Sequence, residues 1–127
     1  MIYELKLHVF MFKQQLIYQK VVLVMDKIQR LVITVKEIKG KCPVHKVGDK
    51  IIVEAPEIVT AETDALCVHA LGSILSMIIP LARNVSFKDL GLAHKEGNVG
   101  YVQCLDPGEP YTAGGTVIFE IRREPAK

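Results

Sequence analysis

The chain contains no tryptophan, and its aromatic residues are limited to four tyrosines and four phenylalanines among 127 residues. So few rings argue against a surface on which unpaired bases stack. Sixteen lysines and arginines against fourteen aspartates and glutamates leave a net charge of +2. That basic excess is too small for the electrostatic footprint of a nucleic-acid-binding domain. The composition therefore indicates no nucleic-acid partner.

The sequence also lacks a long apolar run and an even set of cysteines. Charged and amide side chains interrupt the apolar N-terminal segment at lengths far below a membrane span. That segment has neither the compact apolar region nor the small-residue cleavage site of a secretory signal. The three cysteines, Cys42, Cys67 and Cys104, are odd in number, whereas a disulfide framework uses an even set. We therefore expect a cytoplasmic protein with reduced thiols and no membrane partner.

The length of the chain and its pattern of apolar and polar residues predict one domain preceded by a distinct N-terminal segment. Half of the residues are hydrophobic and 24% are charged, which is typical of a globular domain. Within residues 1–25, apolar and polar side chains alternate with period two from Tyr3 to Val9, before a second apolar run. We interpret this extension either as a hairpin, or one strand and a helix, or as sequence upstream of a true start at Met25. Residues 26–127 are then a single α+β domain.

Four strands and one helix are predicted within that domain. The strands are residues 31–38, 50–54, 99–104 and 116–122. A 3.6-residue apolar period predicts a helix over residues 64–79, with Thr63 or Asp64 capping its start and Asn84 a plausible stop after Pro80. The helix is apolar enough to be mostly buried. We expect a small antiparallel sheet packed on this one helix, which is an α+β fold.

Two of the three cysteines have a histidine close by in the sequence. Cys42 and His45 are three residues apart in a loop, a spacing that lets a thiolate and an imidazole reach one ion without strain. Cys67 is predicted in the first turn of the helix, where the helix dipole favours a thiolate, with His69 two residues on. Positions i and i+2 of a helix point about 200° apart, so His45 ranks ahead of His69 as a ligand.

Cys104 ends a predicted strand and opens the loop 105–115, whose glycines and prolines are typical of loops that carry function. If the strand ends and the helix start converge, the three cysteines and one histidine form a Cys₃His set. Its members are Cys42, His45, Cys67 and Cys104. Such a set suits zinc, or iron in a mononuclear or cluster form.

Three other interpretations of the same residues stay open. The thiols can be inert members of the core, because free cysteine is among the most buried residue types. Alternatively, Cys67 is the reactive thiol of an enzyme or redox protein, with His45 or His69 as its base and the loop 105–115 as a lid. A third possibility is a non-catalytic assembly domain, because the apolar helix and N-terminus are hard for one small chain to cover. That interpretation predicts a homodimer.

Four short motifs follow one another in a fixed order. They are Cys-Pro-Val-His-Lys-Val-Gly-Asp at 42–49, Leu-Cys-Val-His-Ala-Leu at 66–71, Cys-Leu-Asp-Pro-Gly at 104–108 and Val-Ile-Phe-Glu-Ile-Arg-Arg at 117–123. Together they resemble a family of small uncharacterised prokaryotic proteins from archaea and anaerobic bacteria, over about residues 30–124. The resemblance implies that the three cysteines belong to recurring motifs and favours a prokaryotic cytoplasm. It implies no activity and no cofactor.

Two departures from that family bear on the site. The family's first motif often has an extra glycine before the histidine, and its last cysteine is often followed by proline where this chain has Leu105. The first departure changes the spacing between Cys42 and His45.

Overall fold

The chain folds into two helices and a five-stranded antiparallel sheet. The computed structural model describes the backbone throughout and the side chains of all residues except 24–26. The elements are α1 (Ile2–Asp26), β1 (Gln29–Gly40), β2 (Lys50–Glu54), β3 (Glu57–Ile58), α2 (Val68–Ala82), β4 (Val99–Gln103) and β5 (Gly115–Pro125). The strand order is β3-β2-β1-β5-β4, and α2 packs on one face of the sheet. The predicted α+β class is confirmed, with the short edge strand β3 as an addition.

The long pair β1 and β5 forms the centre of the sheet. Their register ends with Gly40 opposite Gly115, and it shifts at Lys36, which has no partner residue in β5. Because strand side chains alternate with period two, this bulge changes which residues face α2. Val35 faces the core before the bulge and Ile38 faces it afterwards. Both ends of β1 therefore contribute to the same apolar layer.

One side of α2 fills this layer. Its buried residues are Ala70, Ile74, Ile78, Leu81 and Ala82. They pack against apolar strand residues, the most enclosed of which are Leu31, Ile33, Val35, Val53, Val117, Phe119 and Ile121. The opposite side of α2 is not covered, because Val68, Leu75 and Ile79 are exposed. The expectation of a mostly buried helix therefore holds for one face only.

The helix begins four residues later than predicted, at Val68. The hydroxyl of Thr63 accepts a hydrogen bond from the amide of Ile52 at 3.1 Å. The carboxylate of Asp64 accepts one from the amide of Lys50 at 2.8 Å. Both predicted caps are thus used to hold the chain against β2. This tertiary pairing outcompetes local capping, which is why the predicted start was wrong.

The other end of α2 lies beyond its proline. The predicted end at residue 79 was wrong, because Pro80 is accommodated inside the last turn and the helix continues to Ala82. The left-handed Asn84 (φ 65°) follows the helix end, as predicted. The guanidinium of Arg123 donates to the carbonyl of Leu81 at 3.0 Å and to that of Val85 at 2.8 Å. A cation that donates to terminal carbonyls satisfies acceptors that the helix leaves unpaired and complements the helix dipole. Arg123 of β5 therefore fixes the end of α2 to the sheet.

The N-terminal segment is one helix, so the predicted hairpin is wrong, as is the predicted combination of a strand and a helix. Residues 2–26 contain no glycine, proline or asparagine, which are the residues that most favour the backbone conformations of a hairpin turn. Residues 1–23 are exposed throughout. Met25, the alternative start, lies among the residues whose side chains are not described. Within the described part of the chain, neither helix has the length and apolar content that crossing a bilayer requires.

The contact between β4 and the ring of Phe87 provides a test of core packing. Phe87 is fully buried, and a Cβ built on Gly100 overlaps its ring. We expect Gly100→Ala to lower the free energy of unfolding by about 1–3 kcal/mol, because the ring has to shift within a filled core. Urea denaturation measures the change.

Gln103→Ala is the matched control, since it changes an exposed residue of the same strand. We expect its effect to stay within about 0.5 kcal/mol. Equal losses in the two variants would contradict the packing argument.

Candidate cysteine and histidine site

The chemistry-bearing residues meet at one end of the sheet. Because β1, β5 and β4 are antiparallel neighbours, the end of β1, the start of β5 and the end of β4 lie side by side. Cys42 follows the end of β1, and Cys104 follows the end of β4. Cys67 immediately precedes α2, whose first turn stands over the same end. The pairing of three strands thus brings Cys42 and Cys104 together, and α2 brings Cys67 to the same end.

A cavity of about 130 Å³ lies between these elements. Six of its lining residues carry ligating or titratable groups: Cys42, His45, Cys67, His69, Cys104 and Asp106. The structure therefore brings all four predicted ligands to one cavity. It also brings His69, which ranked below His45 because i and i+2 diverge on a helix. That argument does not apply here, because Cys67 is the N-cap and lies outside the helix.

His45 is the most enclosed polar side chain of the site. Its residue is 4% exposed, and among the described residues neither ring nitrogen has a hydrogen-bond partner. The ring meets Phe119 edge-on, with 5.4 Å between the centroids. Burial lowers the pKa of His45, and the charge of Asp49 opposes this only in part. An imidazole whose burial favours the neutral form therefore lines the same cavity as the three thiols.

Two of the cysteine sulfurs accept backbone hydrogen bonds. The amide of His45 donates to Sγ of Cys42 at 3.2 Å, and the amide of Val117 donates to Sγ of Cys104 at 3.2 Å. An amide that points at a sulfur favours negative charge there, and it also fixes the sulfur's direction. Cys104 is buried, whereas Cys42 is half-buried. The sulfur of Cys42 is thus held by the backbone of its own loop, and that of Cys104 by the backbone of β5.

Cys67 has a different environment, at the N-terminus of α2. It is the N-cap residue, yet no side chain caps the helix, and its first turn contains no acidic residue. The first amides of a helix have no intrahelical acceptor and carry partial positive charge. The half-buried sulfur of Cys67 therefore lies where the helix favours an anion.

Asp106 organises the loop between β4 and β5. Its carboxylate accepts hydrogen bonds from the amide of Gly108 at 2.9 Å and from the hydroxyl of Thr112. These bonds, followed by the charge of His69, hold the pKa of Asp106 below its usual range. Gly114 lies so close that a Cβ there would overlap the carboxylate. The bond from Gly108 closes a turn within Asp-Pro-Gly, and nothing in the sequence showed that Asp106 also lines the cavity.

The side chains as placed do not form a finished metal centre. Among the described residues, no three histidine, cysteine, aspartate or glutamate side chains are grouped closely enough to hold one ion. The cavity thus contains the predicted donors without a ready-made coordination shell.

Comparison with known proteins adds no assignment. No family model, curated protein or solved structure matches this chain. The resemblance to a prokaryotic family therefore stays a prediction.

The burial of His45 predicts a pH-dependent stability in metal-free protein. The pKa of His45 is lowered in the folded chain, so the unfolded chain binds more protons once the pH falls to its ordinary value of about 6.5. The free energy of unfolding should therefore fall as the pH is lowered from about 8 to 5.5. Urea denaturation across that range, after chelation, measures the slope.

We expect His45→Gln to flatten this slope and His94→Gln to keep it, because His94 is exposed. A slope that survives His45→Gln would show that another group causes it.

Proposed function

We propose that the protein binds one zinc or iron ion in this cavity through Cys42, His45, Cys67 and Cys104. The observation that supports this most is His45. A buried imidazole with both nitrogens unpartnered is costly unless something takes its lone pair. The nearest chemical reason for tolerating that cost is an ion shared with the three thiols that line the same cavity.

The donor set fits these metals. Thiolates and neutral imidazole are ligands of zinc and of iron, and a lowered pKa keeps His45 in the ligating form. The amide bonds to the sulfurs of Cys42 and Cys104 match the hydrogen bonds that usually surround ligating groups. Four protein ligands would fill a tetrahedral shell, which is the arrangement of a structural metal site.

Binding has to draw the donors together. Cys42 and His45 lie on the connection between β1 and β2, and Cys67 lies just outside α2. Rotation of cysteine side chains between staggered rotamers, with small loop movements, is enough to change sulfur positions without disturbing the sheet. Cys104 is the best-fixed donor, because it is buried and its amide donates to the carbonyl of Val117 at 2.9 Å.

The motif resemblance bears on the cellular compartment in which such a site would form. Membership of the prokaryotic family would place the protein in a reducing cytoplasm, where thiols persist and metals compete for them. The resemblance also groups the three cysteines as parts of recurring motifs.

Metal content per chain tests the proposal. We expect about one zinc or iron per chain in protein purified without oxygen, chelator or affinity tag. We expect Cys104→Ser to lose the metal while the fold is retained. Cobalt titration should produce thiolate-to-cobalt charge-transfer absorption in the parent protein and not in the variant.

His69→Ala is the matched control, since it changes a cavity-lining histidine outside the proposed ligand set. It should keep the metal. Folded protein that takes up neither zinc, iron nor cobalt would overturn the proposal.

A thiol-dependent enzyme or redox protein is the second candidate, and one observation favours it. Cys67 lies at an uncapped helix N-terminus and is half-buried, which is the setting of a nucleophilic thiol. His69 and Asp106 line the same cavity, and either His69 or His45 could take a proton there. In this alternative the sulfur reacts without a metal.

Alkylation rates separate the two candidates. If Cys67 is a nucleophile, metal-free protein should react with iodoacetamide fastest at Cys67 and slowest at buried Cys104, as mapped by peptide mass spectrometry. In guanidinium the three rates should become similar, because unfolding removes the helix and the burial. Uniformly slow labelling of all three thiols in folded, metal-free protein would exclude the thiol mechanism.

A further inference from the structure

The outer face of α2 is apolar, which is unusual for the solvent side of a helix. Val68, Gly72, Leu75 and Ile79 follow one another at spacings of four, three and four residues, so they share one face. All four are exposed. None of the fifteen residues of α2 is charged. The row itself therefore lacks the polar side chains that normally cover the outside of such a helix, and the exposed polar residues His69 and Ser76 lie to one side of it.

Neighbouring residues extend this face at both ends. Near its start, the side chain of Leu105 lies against Gly72 and is itself 62% exposed. Beyond Ile79, a hollow of about 230 Å³ opens between the helix and the strand connections, lined in part by Ile28 and Pro56. The result is an apolar strip along the outside of the domain, with the exposed cation Arg83 at its far end.

The second apolar surface is α1. One row of its side chains repeats every seven residues: Ile2, Val9, Leu16 and Leu23. A row of lysines with the same spacing borders it: Lys6, Lys13 and Lys20. An apolar repeat of seven residues has the period of a helix that packs on another helix, although apolar side chains such as Tyr3, Phe10 and Ile17 also occur on other sides of α1. Yet the side chains of residues 1–23 are all exposed.

The surface area shows how much is left uncovered. The chain exposes 8883 Å². A compact monomer of its mass exposes roughly 6,800 Å², so the excess is about 2,000 Å². If two copies each buried this excess, the total area buried between them would fall within the range of obligate homodimers, about 2,000–5,000 Å².

We propose that α1 of one copy packs on the outer face of α2 of a second copy, and reciprocally, in a twofold dimer. The connector favours exchange between copies, because only Lys27 and Ile28 join α1 to β1. Three Cα–Cα steps join Asp26 to Gln29 and span at most about 11 Å. The outer face of α2 lies beyond the full width of that helix, about 10–12 Å, from the sheet that carries β1, and the axis of a helix packed on it lies further out still. For α1 to lie on α2 of its own chain, its last turn would have to unwind.

Charge selects α2 rather than α1 as the partner helix. Pairing two copies of α1 along the heptad row would bring their lysine rows together, and like charges repel. No residue of α2 itself is charged, and Arg83, which follows it, lies at one end of the face, so the lysines of α1 can point past the rest of the face into water. The dimer does not depend on the metal, and it would cover Val68 beside the cavity mouth.

Sedimentation equilibrium of the full chain tests this surface. We expect a dimer at micromolar concentration. Ile79→Glu on α2 and Leu16→Glu on α1 should each weaken association at least about tenfold, since each places a charge in an apolar contact. Both residues are exposed within one copy, and far-ultraviolet circular dichroism checks that the variants fold.

Val47→Glu is the matched control, because it makes the same chemical change at an exposed valine outside the proposed interface. It should leave association unchanged. A parent chain that stays monomeric at about 100 µM would overturn the proposal, as would a dimer that resists both Ile79→Glu and Leu16→Glu. A monomer that sediments with anionic phospholipid vesicles would assign α1 to a lipid surface instead.

Discussion

The pairing of β1 with β5 is the constraint on which the rest of the structure depends. These strands join the beginning of the domain to its end and pair from Gln29 opposite Pro125 to Gly40 opposite Gly115. The two glycines let the strands end in close contact, where a side chain on Gly115 would meet backbone atoms of Lys39 and Lys41. The segments that carry Cys42, His45 and Cys104 are attached to that end, and the start of α2 lies over it. A shift of register there would separate the cysteines and turn core residues to the other face.

Two features of the cavity favour negative charge on the cysteine sulfurs. The backbone supplies amides to the sulfurs of Cys42 and Cys104, and the N-terminus of α2 supplies partial positive charge beside Cys67. His45 contributes an imidazole ring whose two nitrogens have no hydrogen-bond partner among the described residues. A cation would use the three sulfurs and the ring together, whereas a reactive Cys67 would use the helix terminus and His69 or His45 as its base. The two candidate functions therefore differ in whether all three cysteines are needed.

Local sequence patterns predicted the elements that are strongly patterned. The β-branched strands and the apolar period of α2 gave the fold class, and β2 was predicted with its observed bounds. The predictions of secondary structure were wrong or incomplete where long-range contacts determine the conformation of a segment. Thr63 and Asp64 are good helix caps, but they bond to β2 instead. The two-residue strand β3 exists through its partner and has no pattern of its own.

The candidate site was predictable to a similar extent. Element ends are visible in sequence, so cysteines placed at them could be expected to converge if the strands paired as neighbours. The burial of His45 could not be foreseen, because it depends on Phe119 lying beside a loop that is far away in sequence. The role of Asp106 was equally hidden, since a turn explains an Asp-Pro-Gly sequence without any cavity.

The fit between Asp106 and Gly114 has an evolutionary consequence. The carboxylate occupies the space that a side chain at position 114 would need, so neither position can change freely while the other stays the same. A larger residue at 114 is compatible with this loop only if position 106 becomes smaller, and the turn held by Gly108 and Thr112 is then lost. In any lineage that keeps the loop, the two residues should be inherited as a pair. Divergence would therefore remove them together, and with them the setting of Cys104.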